Sequence, residues 1–178
     1  MYTEFQRMDV YCDIHPFKET AILLGDESQN PDDRYINANR IKSPYGEASD
    51  ANLIIAAQGP IRASFRNFWK MCHQENVGRI VTLVQEIPGD CDEYFPEETG
   101  APVAFGNDMV VVVESIMQES NYCIHRTIQV LDKVSRVTKT VEHFHFTGWQ
   151  DWKLPSGASR SNLASLIKDT ADFVTANA

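Results

Sequence analysis

Two hydrophobic periods alternate along the chain. Between Arg62 and Asn76 the apolar residues Phe65, Phe68, Trp69 and Cys72 fall at i, i+3, i+4 and i+7, with Gly78 just beyond. That spacing predicts an amphipathic helix laid on a core. Elsewhere the spacing shortens to that of strands. Tyr35 to Ile41 alternates with period two, Leu53 to Gln58 is a short apolar run stopped by Gly59-Pro60, and Arg79 to Val84 is apolar nearly throughout. These read as three strands, the last covered on both faces. Met109 to Met117, Tyr122 to Leu131 and Val137 to Phe146 follow with short polar connections, predicting an antiparallel meander. A final helix places Leu163, Leu166, Ile167, Thr170, Ala171 and Val174 on one face.

The intervening segments read as connections. Tyr11 to Phe17 is a loop, with Pro16 biasing His15 towards an extended backbone before a strand at Ala21 to Leu24. Gly25 to Asp33 is a surface turn, Lys42 to Asn52 a polar loop, and Tyr94 to Gly106 a longer loop. No repeat, linker or low-complexity tract interrupts the pattern. Residues 1–178 are therefore expected to form one α+β domain, a twisted mixed β-sheet flanked by helices.

Composition narrows the function. The 43% hydrophobic and 23% charged content is that of a globular protein. A net charge of -9 with 16 scattered basic residues argues against a nucleic-acid surface. The longest apolar runs are too short to cross a bilayer and no signal segment opens the chain, so an intracellular protein without a membrane segment is expected. Cys12, Cys72, Cys91 and Cys123 form no Cys-x-x-Cys pair, which fits a reducing compartment.

The candidate chemistry concentrates in residues 143–155, where a strand runs into an aromatic turn carrying Asp151 between Trp149 and Trp152. A carboxylate held between apolar rings loses hydration, which favours its protonated form and suits a general acid. The same residues also read as an ordinary loop carboxylate beside two core tryptophans. His143 and His145 read as structural, and no spacing suggests a metal.

Four motifs in order resemble the protein tyrosine phosphatase family: Tyr11-Cys12-Asp13-Ile14-His15-Pro16-Phe17, Tyr35-Ile36-Asn37-Ala38-Asn39, Ala57-Gln58-Gly59-Pro60 followed by Phe68-Trp69, and His143-Phe144-His145-Phe146 leading to Trp149-Gln150-Asp151. Cys91, Tyr94, Phe95 and Pro96 also resemble a family motif. The resemblance implies hydrolysis of a phosphotyrosine protein or peptide through a cysteinyl-phosphate, with no metal or cofactor. It implies that Asp151 is the general acid, that Tyr11 stacks on the substrate ring, that Asp13 accepts hydrogen bonds from the substrate backbone, and that Trp149 anchors the acid loop. Taken alone, Tyr11 also reads as a half-buried aromatic and Asp13 as a turn former.

The chain also departs from the family pattern. The family's His-Cys-x5-Arg nucleophile loop is absent: six positions after the four cysteines stand Lys18, Gly78, Glu97 and Gln129. The expectation is a domain truncated before its nucleophile, inactive alone, marginally stable, and completed by a complementing segment or a homologous phosphatase. The alternative is a non-catalytic pseudophosphatase that binds partner proteins. Gln150 replaces the family's proline, and Asp90 and Met8-Asp9-Val10 replace basic residues, changes expected to weaken anion attraction.

Overall fold

A computed structural model describes residues 7–11, 13–25, 31–42 and 53–176. In it β1 (Ala38–Lys42) and β2 (Leu53–Ala57) form a small antiparallel sheet. The larger sheet contains β3 (Arg79–Thr82), β4 (Val103–Phe105), β5 (Met109–Ser120), β6 (Cys123–Asp132) and β7 (Val137–Phe146), in the order β3-β7-β6-β5-β4. It is mixed, because β3 runs parallel to β7 while every other pair is antiparallel. The helices are α1 (Pro31–Arg34), α2 (Phe65–Gln74), entered through a 3-10 turn at Arg62–Ser64, and α3 (Gly157–Ala176). The α+β class and the β5-β6-β7 meander are those the periodicity predicts. Among the described residues no helix is long and apolar enough to cross a membrane.

Alternation along the strands gives the large sheet two apolar faces. Met109, Val111 and Val113 of β5, Ile128 and Val130 of β6, and Val141 of β7 share a core with Phe68, Trp69, Met71 and Cys72 of α2. The opposite face carries Cys123, Phe144 and Phe146, packed with Leu166 of α3 and flanked by Val81, Trp149 and Leu163. Strands β6 and β7 thus serve both cores, since neighbouring residues point to opposite sides. Trp69 is fully buried and its indole N–H donates to the Tyr94 carbonyl at 2.7 Å. Truncating such a residue costs about 3–5 kcal/mol.

Arg79 locks α3 to the sheet. Its guanidinium donates to Glu142 on β7 at 2.6 Å and to Asp169 on α3 at 2.8 Å, and it lies over the rings of Phe144 and Phe173 at 4.7 and 4.3 Å. The close approach of Phe173 explains the glycine before β3: a Cβ on Gly78 would lie 2.8 Å from the Phe173 ring.

Four assignments differ from the periodicity. Residues 21–24 are not a strand; Ala21 makes one bridge to Asn39, and the side-chain amide of Gln74 takes the Leu23 carbonyl and the Gly25 amide. Strand β4 lies inside the predicted 94–106 loop, because three residues are too short to show a period. Strand β5 continues to Ser120, beyond the predicted end at Met117, since register shifts at Val113/Ser115 and Gln118/Ser120 reset its alternation. Part of the predicted 25–33 turn is the single-turn α1, and residues 26–30 lie outside the described residues.

Candidate active site

Residues 8–11, 13 and 14 have no regular secondary structure, so side chains flanking the small sheet hold their backbone. Gln58 accepts from the Val10 amide at 3.1 Å and donates to the Met8 carbonyl at 2.5 Å. Asn37 donates to the Ile14 carbonyl at 2.8 Å, and the Gln58 amide donates back to the Asn37 carbonyl at 3.2 Å. Below them Asp9 is buried, accepting the Tyr35 hydroxyl on both carboxylate oxygens at 2.8 Å, with His15 Nδ1 at 3.1 Å. Burial, helped by the hydrogen bond and charge of Asp9, pushes the Tyr35 phenol well above its usual range, so it remains a donor. Asp9 is therefore engaged inside the fold.

This scaffold turns two candidate residues outward. Tyr11 is 63% exposed and Asp13 is also exposed. Ile14, whose carbonyl Asn37 holds, presents an exposed apolar side chain. Cys12 lies outside the described residues.

The second candidate element follows β7. Thr147 donates its amide to the Tyr122 carbonyl at 2.8 Å, and the Ser159 hydroxyl of α3 donates to the Gly148 carbonyl, fixing the base of the turn. Trp149 folds back, packing at the edge of the second core while its indole N–H donates to the Lys153 carbonyl at 2.9 Å. Lys153 closes the other side through its amide to the Gln150 carbonyl at 3.2 Å and its ammonium to the Gln150 side chain at 2.9 Å. Gln150 thus restrains by hydrogen bonding the turn that a proline would restrain through φ.

At the tip Asp151 is exposed, and Trp152, with φ of 63°, is fully exposed. The carboxylate is not clasped between two rings as the sequence suggests. One tryptophan lies beneath the turn and the other points to solvent, so in this geometry neither removes water from Asp151. A bulky residue at positive φ is unusual, and such backbone strain occurs at functional turns.

A family model described as protein-tyrosine phosphatase matches residues 6–176. The chain belongs to the protein-tyrosine phosphatase family. Its relatives include human tyrosine-protein phosphatase non-receptor type 5, 34% identical over 157 residues, which are 85% of this chain and 26% of that protein. Human non-receptor type 13 is 30% identical over 156 residues, 86% of this chain and 6% of its own length. Tyrosine phosphatase H3 of Microplitis demolitor bracovirus (isolate Webb) is 32% identical over 155 residues, 82% of this chain and 47% of its own. The chain therefore spans less than half the length of each of these phosphatases.

The cysteines of this phosphatase-family chain are buried where they are described. Cys72, Cys91 and Cys123 are free thiols inside the fold. Burial pushes all three above the ordinary thiol value, Cys91 to about 11 with Asp92 and Asp90 adding to the effect. Asp90 meanwhile caps a turn, accepting the Gln85 and Glu86 amides at 2.9 and 3.0 Å. A thiol held neutral is a poor nucleophile.

The histidines belong to the core. His143 Nε2 lies 2.6 Å from the Tyr94 hydroxyl and 3.2 Å from Thr82 Oγ1, while its Nδ1 has no hydrogen-bond partner. Burial, then the nearby charges of Arg126 and the neighbouring histidines, depresses its pKa to about 3. His145 Nε2 lies 2.9 Å from the Val84 carbonyl. Among the described residues no group of three or more His, Cys, Asp or Glu side chains could hold a metal ion.

Sequence reasoning singled out the motifs holding Tyr35, Asn37 and Gln58 but assigned those side chains no role. Their signal was the polar residue inside each strand pattern, which identifies a demand for hydrogen bonds without naming the partner.

Proposed function

We propose that the chain carries the recognition and proton-donating parts of a phosphotyrosine hydrolase, and that these 178 residues alone do not turn over phosphotyrosine. The observation that carries the reading is the recognition segment, whose backbone is fixed by Asn37 and Gln58 while Tyr11 and Asp13 face outward. A fixed aromatic ring beside a carboxylate suits a substrate with an aryl side chain and free backbone N–H groups: Tyr11 stacks on the ring and Asp13 accepts from the backbone. Pre-setting this segment lowers the ordering cost of binding.

Asp151 is the proton donor to the phenolic oxygen that leaves. Phenol has a pKa of about 10, so its departure at neutral pH is helped by a positioned acid. Trp149, tucked beneath the turn, is the anchor that keeps Asp151 at its tip. Because the tip is exposed, the desolvation that favours a protonated carboxyl would come from closure onto substrate.

Cysteinyl-phosphate formation requires a thiolate and an arginine to hold the dianion. Buried Cys72, Cys91 and Cys123 do not supply the thiolate, and no cysteine in the chain is followed by arginine six residues later. Those groups would come from a complementing segment or a homologous phosphatase in a reducing, intracellular setting. The second reading, a pseudophosphatase that holds phosphotyrosine proteins without hydrolysing them, is favoured by the same buried thiols.

The deciding experiment measures p-nitrophenyl phosphate and phosphotyrosyl-peptide hydrolysis by the 178-residue protein and by Asp151→Ala, together with peptide binding by Tyr11→Ala. The expected result is no turnover by either chain, with peptide binding about tenfold weaker in Tyr11→Ala, roughly the loss of one aromatic contact. A metal-independent rate that falls in Asp151→Ala would overturn the claim of inactivity. Unchanged binding in Tyr11→Ala would overturn the recognition role.

A further inference from the structure

The segment after Cys91 folds across the start of α2 and leaves an open groove of about 750 Å3. Its apolar wall includes Phe65, Phe95 and Phe105, with Phe65 and Phe105 packed edge to face at 5.7 Å between centroids. The wall is already built: Phe95 is buried beneath the Arg126 guanidinium, which lies 4.4 Å from its ring centroid, and packs edge-on against Tyr94.

The groove is also acidic. Among the described residues Asp92, Glu93, Glu97 and Glu98 line it with Arg62, and Arg126 behind Phe95 acts on Glu93. Asp92 is engaged within the fold, accepting the Arg62 amide at 2.9 Å. Burial together with the charge of Glu97 pushes the Glu93 carboxyl above its ordinary value, while the charge of Arg126 acts in the opposite direction. Like charges close together destabilise each other, and the exposed carboxylates of Glu97 and Glu98 are open to a cationic partner.

We propose that this groove docks a basic peptide segment, an aliphatic side chain resting on Phe65 and Phe105 while flanking Lys or Arg side chains meet Glu93, Glu97 and Glu98. Charge complementarity selects the occupant. An acidic partner would face three carboxylates on a protein of net charge -9, while a small inorganic cation would leave the aromatic wall unused. The proposal goes beyond the phosphotyrosine reading, since Tyr11, Asp13 and Asp151 do not line the groove.

The test is fluorescence anisotropy of the 178-residue protein with a labelled heptapeptide of two leucines among five basic residues. Two control peptides replace the leucines with serine or the basic residues with glutamate. Saturable binding is expected for the first peptide, at least tenfold weaker for the serine peptide and for E97Q/E98Q, and falling as salt is raised. The chain E114Q/D172N, with the same charge change at exposed positions away from the groove, should bind as the parent does. No saturable binding, equal loss in E114Q/D172N, or equal affinity for the glutamate peptide would overturn the proposal.

Discussion

The Tyr35 hydroxyl lies 2.8 Å from both carboxylate oxygens of Asp9, a pair separated by 26 residues in sequence. This contact ties the segment that carries Tyr11 and Asp13 to the approach to β1. Tyr35→Phe leaves Asp9 buried with His15 as its remaining partner named above, and should cost about 1.5–3 kcal/mol, the range for a hydrogen bond to a charged group. Urea denaturation reads the loss. Hydrogen exchange at the Val10 amide, held by Gln58, should accelerate in the same variant; unchanged protection would mean that Asp9 does not hold the segment.

Gly148 joins the turn that carries Asp151 to α3. A Cβ there would lie 2.6 Å from Ser159 Oγ and 2.8 Å from Phe146 Cζ, so Gly148→Ala must displace the helix start or the ring. Overpacking of this kind costs about 1–3 kcal/mol. The lowered melting temperature should be accompanied by a changed tryptophan emission, because Trp149 follows directly. A melting temperature equal to that of the parent would show that the contact is looser than described.

Acid should destabilise the fold through His143. Its folded-state pKa is depressed to about 3, against 6.5 for the ordinary imidazole. Between those values the unfolded chain binds the additional proton. The stability conferred by keeping His143 neutral is therefore complete above 6.5 and is lost as pH falls towards 3, at about 1.4 kcal/mol per pH unit. His145, also depressed by burial, acts in the same direction. Urea midpoints measured from pH 7 to pH 4 should fall more steeply for the parent than for His143→Asn, and parallel slopes would contradict this assignment.

The thiols should be slow to react. With Cys12 replaced by serine, Cys72, Cys91 and Cys123 remain, each buried with its pKa raised. Alkylation by iodoacetamide at pH 7 should be at least tenfold slower than for a free thiol and should reach the free rate in urea. A fast-reacting cysteine in the folded protein would identify a nucleophile among the three and reopen the question of catalysis.

The sequence by itself determined much of the architecture. The helix at Phe65 to Cys72 and the meander from Met109 to Phe146 were legible because burial on one side imposes periods of 3.6 and 2 on local sequence. Four ordered motifs carried the family, since each packs several specified residue types into a short span. Tertiary structure alone decided the rest. Nothing local to Asp9 names Tyr35 as its partner, and Asp151 reads as held between two rings but stands exposed beside an outward Trp152. The acidic groove joins Phe65 to residues 88–105, which no local pattern connects. Periodicity records only which side of an element is buried. The partner a polar side chain meets, and whether a loop carboxylate loses its water, depend on segments brought together by folding.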